Sequence, residues 1–165
     1  VNRGAEPLSA GLIALDDASF AALHDGISLA GFSVIEGNVA PPPVLRMLRD
    51  LAASIRPQFE PCAWSVVEEA QVLGLLSLVK PPRGDGAIEI GYGVADPARG
   101  RGVCGRAVAD LIRWARDDDR VSVIRAETSL ANPASQRVLE RNGFTVIGQR
   151  TDAEDGELLV WERAV

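Results

Sequence analysis

The 165-residue chain predicts a mixed α/β fold: a central, mostly antiparallel sheet with one parallel strand pair and helices on both faces. Three observations carry this expectation. Short apolar runs separated by the turn signals Glu69-Ala70 and Pro81–Gly86 predict antiparallel neighbours. The strand pattern Ile88–Val94 runs through a glycine-rich turn into an amphipathic stretch, and the strand Val121–Glu127 follows; a helical crossover makes such strands parallel. Phe144–Ile147 and Leu158–Arg163, joined across Ala153–Gly156, predict a closing hairpin. The chain is short enough for one domain and long enough for a real core.

Taken in order, Val1–Ala10 is polar and reads as loosely ordered. Gly11–Leu15 fits a short strand, while Asp16-Asp17 before Ala18–Leu23 fits a helix start, and the residues leave both open. His24, the single histidine, sits in an alanine-rich segment far from any motif and reads as structural. Phe32–Ile35 is a short apolar run ended by the turn signal Gly37-Asn38. Pro41–Pro43 then leads into an amphipathic helix carrying Val44, Leu45, Leu48, Leu51, Ala52 and Ile55, which stops before Pro57. Trp64–Glu68 and Gln71–Val79 predict two antiparallel strands. Ile88, Ile90, Tyr92 and Val94 share one face of the next strand, and Glu89, Gly91 and Gly93 share the other. Val108, Leu111, Ile112 and Ala115 define the helix Val103–Arg116. After Val121–Glu127, a short helix Ala134–Arg141 is closed by Asn142-Gly143, a good left-handed cap.

The turn between Ile88–Val94 and its helix concentrates Gly100, Gly102 and Gly105 among Arg99, Arg101 and Arg106. Backbone N–H groups at the positive end of a helix dipole, with arginines beside them, suit a phosphate. Gly100-x-Gly102-x-x-Gly105 matches the dinucleotide fingerprint literally, with Glu127 as the ribose acid. However, Ala95–Arg99 intervene between strand and first glycine, and too little chain follows for a dinucleotide domain. No Gly-Lys-Ser/Thr follows, so a Walker loop is excluded.

Arg99-Gly-Arg-Gly-Val-Cys104 resembles the acetyl-CoA pyrophosphate loop of the GNAT N-acetyltransferase superfamily. Asn132-Pro-Ala-Ser135-Gln-Arg-Val138-Leu139-Glu-Arg-Asn-Gly143-Phe144 is similar to that family's downstream motif. Gly-Tyr in the strand, Asn-x-x-Ser and Val-Leu-Glu resemble most the branch that acetylates ribosomal-protein N-termini. The resemblance covers about Trp64 to the C-terminus. It implies one GNAT-like domain over 1–165, with an acetyl-CoA-binding core over 64–165 and acceptor-side residues in 1–56. It implies acetyl-CoA as cosubstrate and transfer to a primary amine, either a small molecule or a protein N-terminus. Arg99, Gly100, Arg101, Gly102, Val103, Cys104 and Gly105 would hold the pyrophosphate. The pantetheine arm would lie between two splayed parallel strands and pair with backbone near Val94. Asn132 would bond the pantetheine or fix the entry to the last helix, and Arg106 would meet a phosphate or only solvent.

Amide formation needs a base for the ammonium and a hydrogen-bond donor for the departing thiolate. With no nucleophile constellation, direct attack in a ternary complex is expected. Glu89 and Glu127, one on each parallel strand, are the candidate bases, acting directly or through water. Many family members carry Tyr at the position of Leu139 as the acid; leucine cannot serve, and Ser135 is the replacement the resembling branch suggests. Cys104 stands where glycine or alanine is usual, as a tolerated small side chain or as an oxidisable thiol of lowered pKa. The rival reading is a degenerate module that binds acyl-CoA as a sensor or scaffold.

A net charge of −6 argues against nucleic acid as a main partner and permits a cationic acceptor. No apolar run approaches the ~20 residues of a membrane helix, and no signal-peptide pattern is visible. Cys62 and Cys104 have no metal or redox spacing, so no metal and a cytoplasmic setting are expected. Homodimers are frequent in the resembling family, while the sequence itself leaves the oligomeric state open.

Overall fold

The computed structural model describes residues 11–165; the expectation for Val1–Ala10 lies outside them. Both readings left open at the start are realised in succession. β1 (Gly11–Ala14) is followed by α1 (Asp17–His24), which is capped by the Asp16 carboxylate accepting the Ser19 amide at 2.8 Å. β2 (Ser33–Val34) and α2 (Pro42–Ile55) come next; α2 starts with two prolines, whose missing amides cost nothing in a first turn. β3 (Ala63–Glu68), β4 (Gln71–Leu78) and β5 (Ala87–Val94) form an antiparallel meander. α3 (Val103–Arg116) crosses to β6 (Val123–Ser129), α4 (Pro133–Arg141) follows, and β7 (Thr145–Asp152) and β8 (Gly156–Ala164) close the chain.

The sheet runs β1-β3-β4-β5-β6-β8-β7, antiparallel throughout except at β5–β6. One contact was not expected: β2 lies parallel to the start of β4, pairing Ser33 with Gln71 and Val34 with Val72. β5 pairs with β4 only from Gly74 onward, so the edge before that point is left for β2. Gly74 has to be glycine, because a Cβ there would sit 2.3 Å from the Gly93 carbonyl oxygen.

Three of the differences from the boundaries read in the sequence have a clear physical cause. β6 starts at Val123, two residues late, because the Ser122 and Val123 amides are taken by the Gly86 carbonyl and Val121 is buried beneath the connection. β7 continues through polar Gly148–Thr151, which an exposed edge strand tolerates without an apolar pattern. Phe144 is buried just before β7 rather than inside it.

α3 buries Val103, Ala107, Val108, Leu111, Ile112 and Ala115 in the core with Ile88, Ile90, Ile124 and Ala126. Its far end is locked by Trp114 against Trp64, with centroids 5.0 Å apart. No helix among the described residues is long and apolar enough to cross a membrane.

Candidate active site

The parallel pairing of β5 with β6 runs from Ala87–Val123 to Ile90–Ala126 and then stops. Beyond it, β5 continues to Val94 along β4 while β6 continues to Ser129 along β8. The sheet therefore forks, and the edge of β5 over Gly91–Val94 faces an open gap. This is the splay that the resemblance implied.

At the mouth of the fork the chain leaves Val94 through a single helical turn, Asp96–Ala98, and reaches α3 through Gly100 and Gly102. Both glycines are left-handed, with φ of +74° and +75°, a region that side chains disfavour. Gly102 is the N-cap of α3 and makes no side-chain cap bond. The amides of Gly102, Val103, Cys104 and Gly105 therefore lack carbonyl partners within the helix and converge at its positive end. A Cβ on Gly100 or Gly105 would meet nothing within 4 Å, so both backbones can be approached closely. These residues fit an anionic pyrophosphate.

The three arginines divide. Arg99 is exposed and meets Asp96 at 3.0 Å; Arg101 reaches Glu69 at 3.2 Å. Both remain beside the turn with solvent around them. Arg106 instead grips the buried Glu68 carboxylate through Nε and Nη2 (2.7 and 3.0 Å) and donates to the Arg101 carbonyl at 2.8 Å. It is therefore not left to solvent alone: it ties the turn to the β3–β4 hairpin. Burial pushes the Cys104 thiol up, with Arg99 pulling weakly the other way. The structure thus gives no support to the lowered pKa considered for that thiol.

Asn132 caps α4, its Oδ1 accepting the Ser135 amide at 3.1 Å. Ser135 Oγ lies 2.9 Å from Tyr92 Oη, linking α4 to the open part of β5. Leu139 is fully buried in the core. Asn142 Nδ2 donates to the Gly105 carbonyl at 3.2 Å, binding the end of α4 to the start of α3.

The two candidate bases stand on the same face of the sheet but not in the same surroundings. Glu89 lies in the paired part of β5, in contact with Lys80 and in a small recess shared with Arg125. Glu127 is the first residue of β6 past the fork, and Arg150 on β7 grips both of its oxygens at 2.7 and 2.6 Å. A groove of about 810 Å³ opens on this face between α2 and β4–β5. Val44, Met47, Leu48 and Leu51 form its helical wall, and Leu75, Ser77, Gly91 and Gly93 form its floor. α2 therefore lines a cavity beside the fork, in the part of the chain expected to face the acceptor.

The family model described as "Acetyltransferase (GNAT) domain" matches residues 33–145. The chain belongs to this GNAT family. An uncharacterized N-acetyltransferase of Bacillus subtilis (strain 168), YjdG, is 33% identical over 84 residues. That match spans half of this chain and half of that relative. Among solved structures, RimL, a ribosomal-protein alpha-N-acetyltransferase in complex with coenzyme A, superposes with a TM-score of 0.71 at 19% identity, covering 93% of both chains. The ribosomal-protein-alanine N-acetyltransferase of Brucella melitensis gives 0.64 at 21% identity, covering 93% of this chain and 99% of that one. An aminoglycoside acetyltransferase, AAC(6')-Ib, in complex with coenzyme A gives 0.67 at 16% identity, covering 94% and 95%. At such identities the likeness is one of fold, and it extends to neighbours with very different acceptors.

The Tyr92–Ser135 contact, the Arg106–Glu68 clamp and the Arg150 grip on Glu127 were not foreseen. Each joins residues more than 20 positions apart on different elements. The only sequence signal was Tyr92 as the one hydroxyl on an otherwise apolar strand face.

Proposed function

We propose that this protein is an acetyl-CoA-dependent N-acetyltransferase that acts on a primary amine by direct attack in a ternary complex. The observation that carries the reading is the coincidence of the fork between β5 and β6 with the uncapped N-terminus of α3. When bound, acetyl-CoA supplies the activated acetyl group: the amine nitrogen bonds to the carbonyl carbon, the C–S bond breaks, and the thiolate takes up a proton. The amides of Gly102 to Gly105 and the glycine backbone at Gly100 hold the pyrophosphate, with Arg99 and Arg101 as flanking cations. The backbone near Val94 pairs with the pantetheine along the open edge of β5. Asn132 acts through Ser135, whose amide it holds, and the Ser135 hydroxyl faces the departing sulfur.

Of the two carboxylates, Glu127 takes the amine. It is the first β6 residue past the fork, whereas Glu89 lies in the paired region, in the recess with Lys80 and Arg125. Because Arg150 occupies both of its oxygens, Glu127 orients the ammonium and passes its proton through water. The acceptor is a small amine or a protein N-terminus that enters beside α2.

The test is thiol release from acetyl-CoA with a panel of N-terminal peptides, polyamines and aminoglycosides. Amine-dependent release, cut about 100-fold by Glu127→Gln and little by Glu89→Gln, is expected. Fully buried Leu139 favours a second reading, a module that binds acyl-CoA without turnover. Tight binding with no thiol release under any amine would select it.

A further inference from the structure

Tyr92 is the single tyrosine of the chain, and it lies two residues beyond the last β5 residue that pairs with β6. Ser135 lies in the first turn of α4, the element that follows β6. The two hydroxyls, 2.9 Å apart, thus bridge the fork from its β5 side to its β6 side. Neither is free to wander. Tyr92 is half-buried, and the Ser135 amide is held at 3.1 Å by the Asn132 cap. Each hydroxyl carries one proton and two lone pairs. Tyr92 Oη also lies 3.3 Å from the Ser135 carbonyl oxygen, a poorer acceptor position than Oγ. Burial raises the phenol to about 12, so it keeps its proton at neutral pH, and of the two oxygens within its reach Ser135 Oγ, at 2.9 Å, is the nearer acceptor for that one proton.

Resting on the reading above, we infer that Tyr92 is a positioning residue: it donates to Ser135 Oγ, and the serine proton is thereby turned toward the sulfur leaving through the fork. In the transfer the C–N bond forms and the C–S bond breaks, with the electron pair going to sulfur. The ammonium proton leaves through water at Glu127. The thiolate is stabilised by the Ser135 O–H and takes its proton from solvent as it departs. Tyr92 and Ser135 both keep theirs. If instead Tyr92 accepted from Ser135, the serine proton would point away from the fork and the pair would do nothing for the reaction. A donor aimed where charge develops acts in the transition state more than in the bound ground state.

The experiment is a double-mutant cycle with Tyr92→Phe, Ser135→Ala and the double variant, reading kcat and the KM for acetyl-CoA. It is accompanied by NMR of protein labelled with tyrosine carrying ¹³C at Cζ, which has one resonance. Tyr92→Phe, which preserves ring packing, should lower kcat about tenfold with KM within about twofold. Ser135→Ala should lower it about 10- to 100-fold, and the double variant should be no slower than Ser135→Ala. The Cζ resonance should move on Ser135→Ala, and on adding coenzyme A to the wild type. Wild-type kcat in Tyr92→Phe, or effects that multiply in the double variant, would overturn the inference while leaving the acetyltransferase reading intact. A wild type that releases no thiol with any amine would overturn both.

Discussion

Arg106 holds the turn before α3 against the neighbouring hairpin. Its guanidinium spans the Glu68 carboxylate and the Arg101 carbonyl, and Glu68 is 8% exposed. Losing the arginine leaves a buried carboxylate with neither partner nor full hydration. Arg106→Ala should lower stability by about 1 kcal/mol, discounted because the arginine itself is half in water. It should also weaken acetyl-CoA binding several-fold through a looser turn. Urea unfolding and calorimetric titration check the two effects separately. Leu139 makes the opposite case. With 0% exposure it is a core residue, and Leu139→Ala should cost about 2–5 kcal/mol in urea unfolding. Sequence alone could assign Leu139 to the apolar face of its helix, because period 3.6 is local. It could not assign Arg106, whose partner stands 38 positions away on another strand.

Elements that combine a periodic apolar face with strong stop signals were legible to within a residue. α3 was read as Val103–Arg116 and is found there, because glycines precede it and three aspartates follow. β6 and β7 were misplaced for physical reasons: a turn bond to Gly86 claimed the start of one, and edge exposure removed the alternation from the other. The fork was legible only through the family resemblance, since strand pairing is not written in either strand alone. Two glycine substitutions separate fold from ligand at this scale. Gly74→Ala places a methyl 2.3 Å from a backbone oxygen and should destabilise the β4–β5 pair markedly, lowering the thermal midpoint by several degrees. Gly105→Glu meets open space and puts an acid in the first turn of α3, which favours the helix. It should leave the thermal midpoint unchanged or higher, while setting a negative charge among the amides proposed to hold a phosphate.

For the whole molecule, the sheet is continuous at one end and forked at the other, and the fork meets the helix N-terminus on one side and the apolar groove on the other. Half-buried Tyr92 couples this region to pH. Its pKa, raised from 10.0 to about 12 in the folded chain, means the native state holds a proton that the unfolded chain has lost above pH 10. Its contribution is complete below pH 10 and is lost as pH rises toward 12. Thermal midpoints should therefore fall more steeply between these values for the wild type than for Tyr92→Phe. The chain organisation, the glycine turn and the α4 cap were all open to sequence reading. Which carboxylate stands past the fork, and which hydroxyls meet across it, depended on three-dimensional register.

On the reading proposed above, the uncapped start of α3 at the fork is an acetyl-CoA site. The most direct measurement is isothermal titration of acetyl-CoA into the wild type and into Gly105→Glu, with folding of both followed by circular dichroism. Micromolar binding by the wild type, lost in a fully folded Gly105→Glu, is the predicted result. Equal binding by the two proteins, or no binding by the wild type, would mean that this helix start does not hold the cofactor.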